Sequence, residues 1–304
     1  MKEARPGSAG VMRGMTPVQF ARRVPGALLR RGLWRARASL PGRVIRTSLA
    51  LVPRQRLAYS WCEVKGGGTA RTWLLTDTRR SITVGCGTRD RDILREIFVD
   101  QEYAPPPEVD EVLNSGKAPS VVDLGANIGL FGLWVLSQWP EARIHSFEPD
   151  PDNLAILDRN VSDAGVGSRW TVTRACAAPA AGTVQFLGGR QADSRTAYDA
   201  DPTSDLSMIP AVDVFPHLHD ADLLKIDIEG GEWPLLTDTR FRDLKVPAIV
   251  LEYHAYNSPA PAESGETARR LLERCGYAVV VTHRASPGLG TLWAWRSPAS
   301  ALPE

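Results

Sequence analysis

The sequence predicts an α/β fold: a mostly parallel sheet with helices on both faces. Three observations predict it. From Ser120 onward, apolar runs of strand length alternate with helical repeats. The run Val121-Val122-Asp123-Leu124 passes into a glycine turn, Gly125-Ala126-Asn127-Ile128-Gly129, and then into a helix. The next run, Ile144–Phe147, ends in Glu148-Pro149, so two consecutive strands finish near an acid.

The N-terminal third reads differently. Phe20, Val24 and Leu28 have helical spacing interrupted by Pro25, which predicts short basic helices up to about residue 50. Leu57–Val64, Arg71–Leu75 and Ser81–Val84 are β-rich runs separated by Gly66-Gly67-Gly68 and Thr76-Asp77-Thr78, which predicts a small antiparallel meander. Asp90 is placed to cap a helix carrying Ile93, Ile97 and Phe98 and ending near Tyr103, before the Pro105-Pro106-Pro107 linker. The expected organisation is a basic extension (1–56), a β-meander and helix (57–107) and an α/β domain (108–304).

Within that domain, strand 120–124 precedes helix 127–138. Strand 142–147 precedes a helix capped by Asp150, with Pro151 in its first position. Trp170–Ala175 and Thr183–Leu187 read as strands. Residues 188–209 are polar and read as a long loop, long enough for a lid, with Arg190, Arg195 and Tyr198 available. Leu223–Ile228 and Ala248–Tyr253 read as strands. Ala268, Leu271, Leu272 and Cys275 line a helix stopped by Gly276. Ala278–Thr282 and Thr291–Trp295 are expected to pair antiparallel across a short Pro/Gly loop.

The net charge of +1 hides an asymmetry. Residues 1–56 hold 13 Lys/Arg and one acid, Glu3, whereas the remainder holds 23 basic and 34 acidic residues. Such a basic arm suits nucleic acid, anionic lipid or an acidic carrier, or folds onto the acidic body. No nucleic-acid-binding motif accompanies it, so nucleic acid is not the expected partner. No stretch has the length of a membrane span, and the N-terminus lacks a secretory signal pattern. Cys62, Cys86, Cys176 and Cys275 are scattered without a CxxC, which predicts reduced thiols in a cytoplasm and neither a zinc site nor a disulfide framework.

The acids at the strand ends bear on the ligand. Asp123, Glu148, Asp227 and Glu252 all stand where open α/β sheets bind ligands. A dinucleotide pyrophosphate is repelled by Asp123, and only two of the three fingerprint glycines are present, with Asn127 between them. S-adenosylmethionine carries an ammonium and a sulfonium and no phosphate, so a carboxylate beside the turn suits it. Glu148 is placed to accept from both ribose hydroxyls. Gly125 is expected to let backbone approach the ligand, and Gly129 to let the helix pack on the first strand.

Together, Val121–Phe131, Phe147-Glu148-Pro149 and the segment Leu223-Leu224-Lys225-Ile226-Asp227-Ile228-Glu229-Gly230-Gly231-Glu232 resemble the FkbM family of class I methyltransferases. The likeness extends over roughly residues 80–295. It implies a Rossmann-like, seven-stranded, mostly parallel sheet and methyl transfer from S-adenosylmethionine, most often to a hydroxyl of a sugar or other secondary metabolite. Carried over by position, Asp123, Gly125, Ala126, Asn127, Gly129, Glu148 and Pro149 would hold the cofactor, with Ala177 near the adenine. Cys176-Ala177-Ala178-Pro179 lacks a polar residue for the adenine amine.

Methyl transfer to an aliphatic hydroxyl requires alignment and removal of a proton, and histidine is the usual base. Of His145, His217, His219, His254 and His283, only His254 falls just past a strand end beside the switch point, two residues after Glu252. It is the expected base. Asp227 and Glu229 flank the end of the fourth parallel strand and are expected to orient the acceptor, serve as base or bind a cation; no spacing specifies a metal. Trp233, Tyr253 and Tyr256 are candidates for an apolar acceptor pocket or for core. The expected acceptor is a small molecule. A macromolecular acceptor, methylation at nitrogen and a non-catalytic cofactor-binding scaffold remain alternatives.

Overall fold

The computed structural model describes residues 40–114, 117–187, 195–196 and 207–296. The chain divides into two compact units, Met1–Gly42 and Arg43–Glu304; only residues 40–42 of the first are described. The second unit is built on a seven-stranded sheet. In chain order its strands are β3 (Ser120–Leu124), β4 (Arg143–Phe147), β5 (Trp170–Thr173), β10 (Leu223–Ile226), β11 (Ala248–Tyr253), β12 (Ala278–Ser286) and β13 (Leu289–Trp295). Their spatial order is β12-β13-β11-β10-β3-β4-β5. β3, β4, β5, β10 and β11 run parallel; β12 and β13 pair antiparallel, as the sequence predicts, and β13 also pairs antiparallel with β11.

Strand alternation divides the core. Val121, Leu223 and Val250 face one apolar cluster, and their neighbours Val122, Leu224 and Ile249 face the other. The first cluster is closed by α4 (Pro107–Leu113), α5 (Leu130–Gln138) and α6 (Pro151–Ala164), the second by α7 (Phe215–Leu218), α8 (Glu232–Thr237) and α9 (Ser264–Arg274). Asp150 caps α6 as expected, its Oδ1 accepting from the Asp152 amide at 2.9 Å. The chain lays β4 and β5 on one side of β3 and returns to lay β10 on the other. The crevice of such a sheet opens at the carboxyl ends of β3 and β10.

Four sequence expectations are corrected. The run Leu57–Val64 is not a strand: it lies in helix α2 (Arg56–Lys65). Its β-forming residues alternate, but Tyr59, Cys62 and Glu63 turn inward at helical spacing, and Gly66 at φ +67° stops the helix. The meander is therefore a two-stranded hairpin, β1 (Ala70–Leu74) with β2 (Ser81–Gly85), packed into the first core cluster. A further helix, α1 (Leu40–Ser48), precedes α2.

Asp90 does not cap α3 (Asp90–Phe98). It is buried and accepts from the Gly85 amide at 2.8 Å, while Thr88 Oγ1 accepts from the Asp90 amide. Part of the supposed 188–209 loop is strand. β8 (Arg195–Thr196) and β9 (Ser207–Asp213) join β6 (Cys176–Ala178) and β7 (Gly182–Leu187) in a second sheet of order β6-β9-β7-β8. Pro210 inside β9 disguises it, because proline reads against a strand interior. Arg190 and Tyr198 lie outside the described residues. Finally, Cys62 and Cys86 form a disulfide across 24 residues, tying α2 to the end of β2. Chain folding, not a sequence motif, brings that pair together.

Candidate active site

A cleft opens at the carboxyl ends of β3, β4, β10 and β11. One wall is the turn after β3, which follows from backbone conformation. Gly125, Asn127 and Gly129 all have positive φ (81°, 51° and 85°). A Cβ on Gly125 would lie 1.8 Å from the Asp227 carbonyl oxygen, and one on Gly129 would lie 2.5 Å from Leu157 Cδ1. The two glycines thus admit the end of β10 and α6 at close range, and Gly125 also lines the cleft.

The amides of this turn are all spoken for. Those of Gly125 and Ala126 donate to the Phe147 carbonyl, both at 3.0 Å. Asn127 donates to Glu148 Oε2 at 2.8 Å, Ile128 to Asn127 Oδ1 at 2.7 Å, and Gly129 to the Ala126 carbonyl at 2.8 Å. A phosphate cradle needs free N–H groups at this point, and none remains among residues 125–129.

Glu148 stands on the cleft wall at the end of β4. Its Oε1 accepts from the Asp150 amide at 2.9 Å and from Asn153 Nδ2 at 3.2 Å. Burial pushes its carboxyl up to about 7, against these hydrogen bonds. One lone-pair site remains, on Oε2, for a donor in the cleft. Ala126, Asn127, Pro149 and Ala177 also line the cleft, as do the aromatic rings of Tyr103, Phe131, Phe147 and Phe186.

Asp123 is placed differently from its neighbours. It is fully buried and does not line the cleft; Lys225 does, and reaches back to it. Strand register explains this: Asp123 pairs with Lys225 on β10 and with Ser146 on β4. Lys225 Nζ sits 3.2 Å from Asp123 Oδ1 and 3.3 Å from Asp227 Oδ2, and donates to the Gly125 carbonyl at 2.9 Å. Burial opposes its charge, but Asp123 and Asp227 outweigh burial and raise its pKa. Sequence reasoning quoted Lys225 within a motif and gave it no role.

The opposite wall carries His254, just past β11. Its Nδ1 lies 3.1 Å from Glu232 Oε1, which also accepts from the His254 amide at 2.9 Å. Glu232 is fully buried, and its Oε2 accepts from the Gly230 amide at 2.8 Å. Trp233 Nε1 donates to the carbonyls of His254 and Tyr256, both at 3.1 Å, fixing the loop on α8. With Nδ1 engaged, Nε2 faces Glu229 Oε2 at 3.4 Å and Glu252 Oε1 at 4.0 Å. Burial opposes the imidazolium, but Glu232, Glu229 and Glu252 raise His254 to about 10. Burial and the nearby Asp227 raise Glu252 to about 8, with His254 opposing. Tyr103 donates from its hydroxyl to Glu252 Oε2 at 3.2 Å. Glu232 and Tyr103 are further residues to which sequence reasoning assigned no role.

Asp227, Glu229, Glu252 and His254 thus meet in one cleft, as expected. Trp233, Tyr253 and Tyr256 do not line it. His145 bonds Thr173 Oγ1 at 2.8 Å, meets the His217 ring edge-on and does not line the cleft. Ligand atoms of Asp227, Glu252 and His254 lie within 4.8 Å of one another. Lys225 lies against Asp227, and His254 against Glu229 and Glu252, within the same cluster.

The model of the methyltransferase FkbM domain matches residues 123–279, just over half of the chain. The chain belongs to the FkbM methyltransferase family. Its sheet order is that of the class I, Rossmann-like methyltransferases. Relatives include Methyltransferase 1 of Beauveria bassiana (strain ARSEF 2860), 26% identical over an alignment of 215 positions that covers 62% of this chain and 81% of that protein. Methyltransferase sdnD of Sordaria araneosa is 40% identical over 70 residues, 23% of this chain and 24% of that protein. Among solved structures, the FkbM methyltransferase of Methylobacillus flagellatus KT shares 18% identity. It aligns over 68% of this chain and 54% of its own, with a TM-score of 0.43.

Proposed function

We propose that this FkbM methyltransferase uses S-adenosylmethionine to methylate a hydroxyl of a small molecule, with His254 removing the hydroxyl proton. The cofactor's chemical contribution is an activated methyl group on a sulfonium. The donor set of the cleft suits such a ligand. The turn amides are consumed, which disfavours phosphate, and Glu148 Oε2 retains an acceptor site for a ribose hydroxyl. Asp227, Glu229 and Glu252 give the cleft an acidic lining that favours a cation. Gly125, Ala126, Asn127, Pro149 and Ala177 would bound the same ligand. Asp123 and Gly129 would act from behind, through Lys225 and through helix packing.

The observation that carries the catalytic reading is the Glu232–His254 pair. A buried carboxylate on Nδ1 orients the ring and leaves Nε2 toward the cleft, the arrangement a general base needs. The surrounding acids hold His254 protonated near neutrality, so transfer waits on loss of that proton and the rate rises with pH. Asp227, steadied by Lys225, and Glu229 are positioned to accept hydrogen bonds from the acceptor and align its oxygen. Exclusion of water falls to the Tyr103, Phe131, Phe147 and Phe186 rings.

Calorimetric titration with S-adenosylmethionine, with NAD as control, tests the donor. Saturable binding of the first alone is expected; preference for NAD overturns the reading. Mass spectrometry of hydroxylated metabolites incubated with both then reports the acceptor. Methyl gain on nitrogen alone would replace hydroxyl with amine in the proposal.

A further inference from the structure

Helix α2 shows water a face that ordinary packing does not explain. Its inner face is fixed: Tyr59 is fully buried, Cys62 is joined to Cys86, and the buried Glu63 pairs with Arg91 at 3.3 Å. The outer face is thereby set in orientation. Leu57, Trp61 and Val64 recur there at helical spacing and are 86%, 71% and 66% exposed. Ile45 in α1 and Leu49 just after it repeat the pattern. Arg56, the first residue of α2, donates to the carbonyls of Leu49 and Leu51, so the two apolar sets adjoin. Among the described residues from Arg43 onward, five of the seven exposed large hydrophobic side chains fall between positions 45 and 64, so this is a patch and not scatter.

Charge identifies what fits it. Residues 40–65 contain Arg43, Arg46, Arg54, Arg56 and Lys65, and their one acid, Glu63, is buried against Arg91. Arg46 is paired with Asp100, while Arg54 and Lys65 are exposed. The outer face therefore presents apolar side chains and cations without a carboxylate. Upstream, residues 1–39 add nine Lys/Arg against one acid. A tryptophan and aliphatic side chains on a convex helical ridge, flanked by cations, are the composition of helices that lie in the headgroup region of a bilayer.

We infer that the outer face of α2, with Ile45 and Leu49 beside it, docks on an anionic lipid bilayer. Leu57, Trp61 and Val64 enter the acyl boundary, and the flanking arginines and Lys65 meet lipid phosphates. The docking is peripheral: among the described residues no helix is long and apolar enough to cross a membrane.

Co-sedimentation of the full chain with vesicles tests this, using phosphatidylcholine alone and equal parts phosphatidylcholine and phosphatidylglycerol. Partition onto the anionic vesicles is expected, weakening as salt rises. Trp61→Ser and Leu57→Ser should each weaken it about tenfold, from the lost apolar burial. Both sites are on the outer face, so the melting temperature and binding of S-adenosylmethionine should not move. Absence of partition at low salt overturns the proposal. So does wild-type partition by Trp61→Ser, which would assign retention to charge alone. A dimer in sedimentation velocity that Trp61→Ser dissolves would also overturn it, in favour of a second copy of the chain on this face.

Discussion

The two walls of the cleft are built on opposite principles. At the β3–β4 wall, every amide of the glycine turn has an acceptor, and Glu148 is held by two backbone amides and Asn153. At the β10–β11 wall, Asp227, Glu229, Glu232 and Glu252 crowd Lys225 and His254, and the pKa values of His254 and Glu252 are driven upward. A closed network rigidifies and holds; a charge-crowded one moves protons easily. On the proposed reading, the first wall binds the cofactor and the second carries the chemistry. That division can be broken by substitutions that affect both walls alike.

The largest effect is expected at Gly125. Its substitution by alanine combines positive φ with a Cβ 1.8 Å from the Asp227 carbonyl oxygen. A loss of about 3–5 kcal/mol, or failure to fold, is expected in thermal or urea unfolding. A Gly125→Ala protein with wild-type stability would show that the β3–β10 approach is not needed. His254→Ala should follow, cutting turnover about 10²–10⁴-fold. Calorimetry should find its cofactor affinity nearly intact, because His254 belongs to the other wall; loss of both together would dissolve the division.

The binding wall was the more legible one in the sequence, for a physical reason. Strand, glycine turn, helix and terminal acid are local, and residues 121–131 and 144–149 carry their whole pattern within a few positions. The family segment from Leu223 to Glu232 was equally visible, but the work of its residues was not. Lys225 meets Asp123 only through the β3–β10 register, and Glu232 meets His254 only when α8 packs beside the end of β11. Tyr103 reaches Glu252 across 149 positions. The same limit hid the second sheet, whose β9 contains Pro210 and pairs with strands far back in the chain. In α2 the error ran the other way: strong β-forming side chains outweighed a helical pattern of burial that only the folded chain displays.

Glu232→Gln sharpens the account of the chemical wall. The Glu232 carboxylate raises His254, so its removal lowers the folded pKa from about 10 toward the ordinary histidine value. If neutral His254 is the reactive form, the rate rises with pH below that pKa and levels above it. The variant should therefore reach its plateau at lower pH than the wild type. The plateau itself should fall about tenfold, because an amide specifies the ring tautomer less firmly than a carboxylate. A pH–rate profile displaced downward without a shift along the pH axis would leave Glu232 a packing residue only.

Tyr103→Phe gives the smallest expected effect. The ring lines the cleft and stays, while the hydroxyl that donates to Glu252 Oε2 at 3.2 Å is lost. One hydrogen bond to a carboxylate is worth about 1.5–3 kcal/mol when its partner is fully ionised. Glu252, raised to about 8, is largely protonated near neutrality, so the loss there should be nearer about 0.5–1.5 kcal/mol. Above pH 8 the carboxylate is mostly ionised and misses its donor more. The kinetic defect of Tyr103→Phe should therefore grow from pH 7 to pH 9, and it should appear at the chemical wall, in turnover or acceptor KM. Cofactor affinity measured by calorimetry should stay level across the same range. A defect constant with pH would mean that Glu252 is already ionised at neutrality, and that the crowding of acids on this wall is relieved by a cation other than Lys225 and His254.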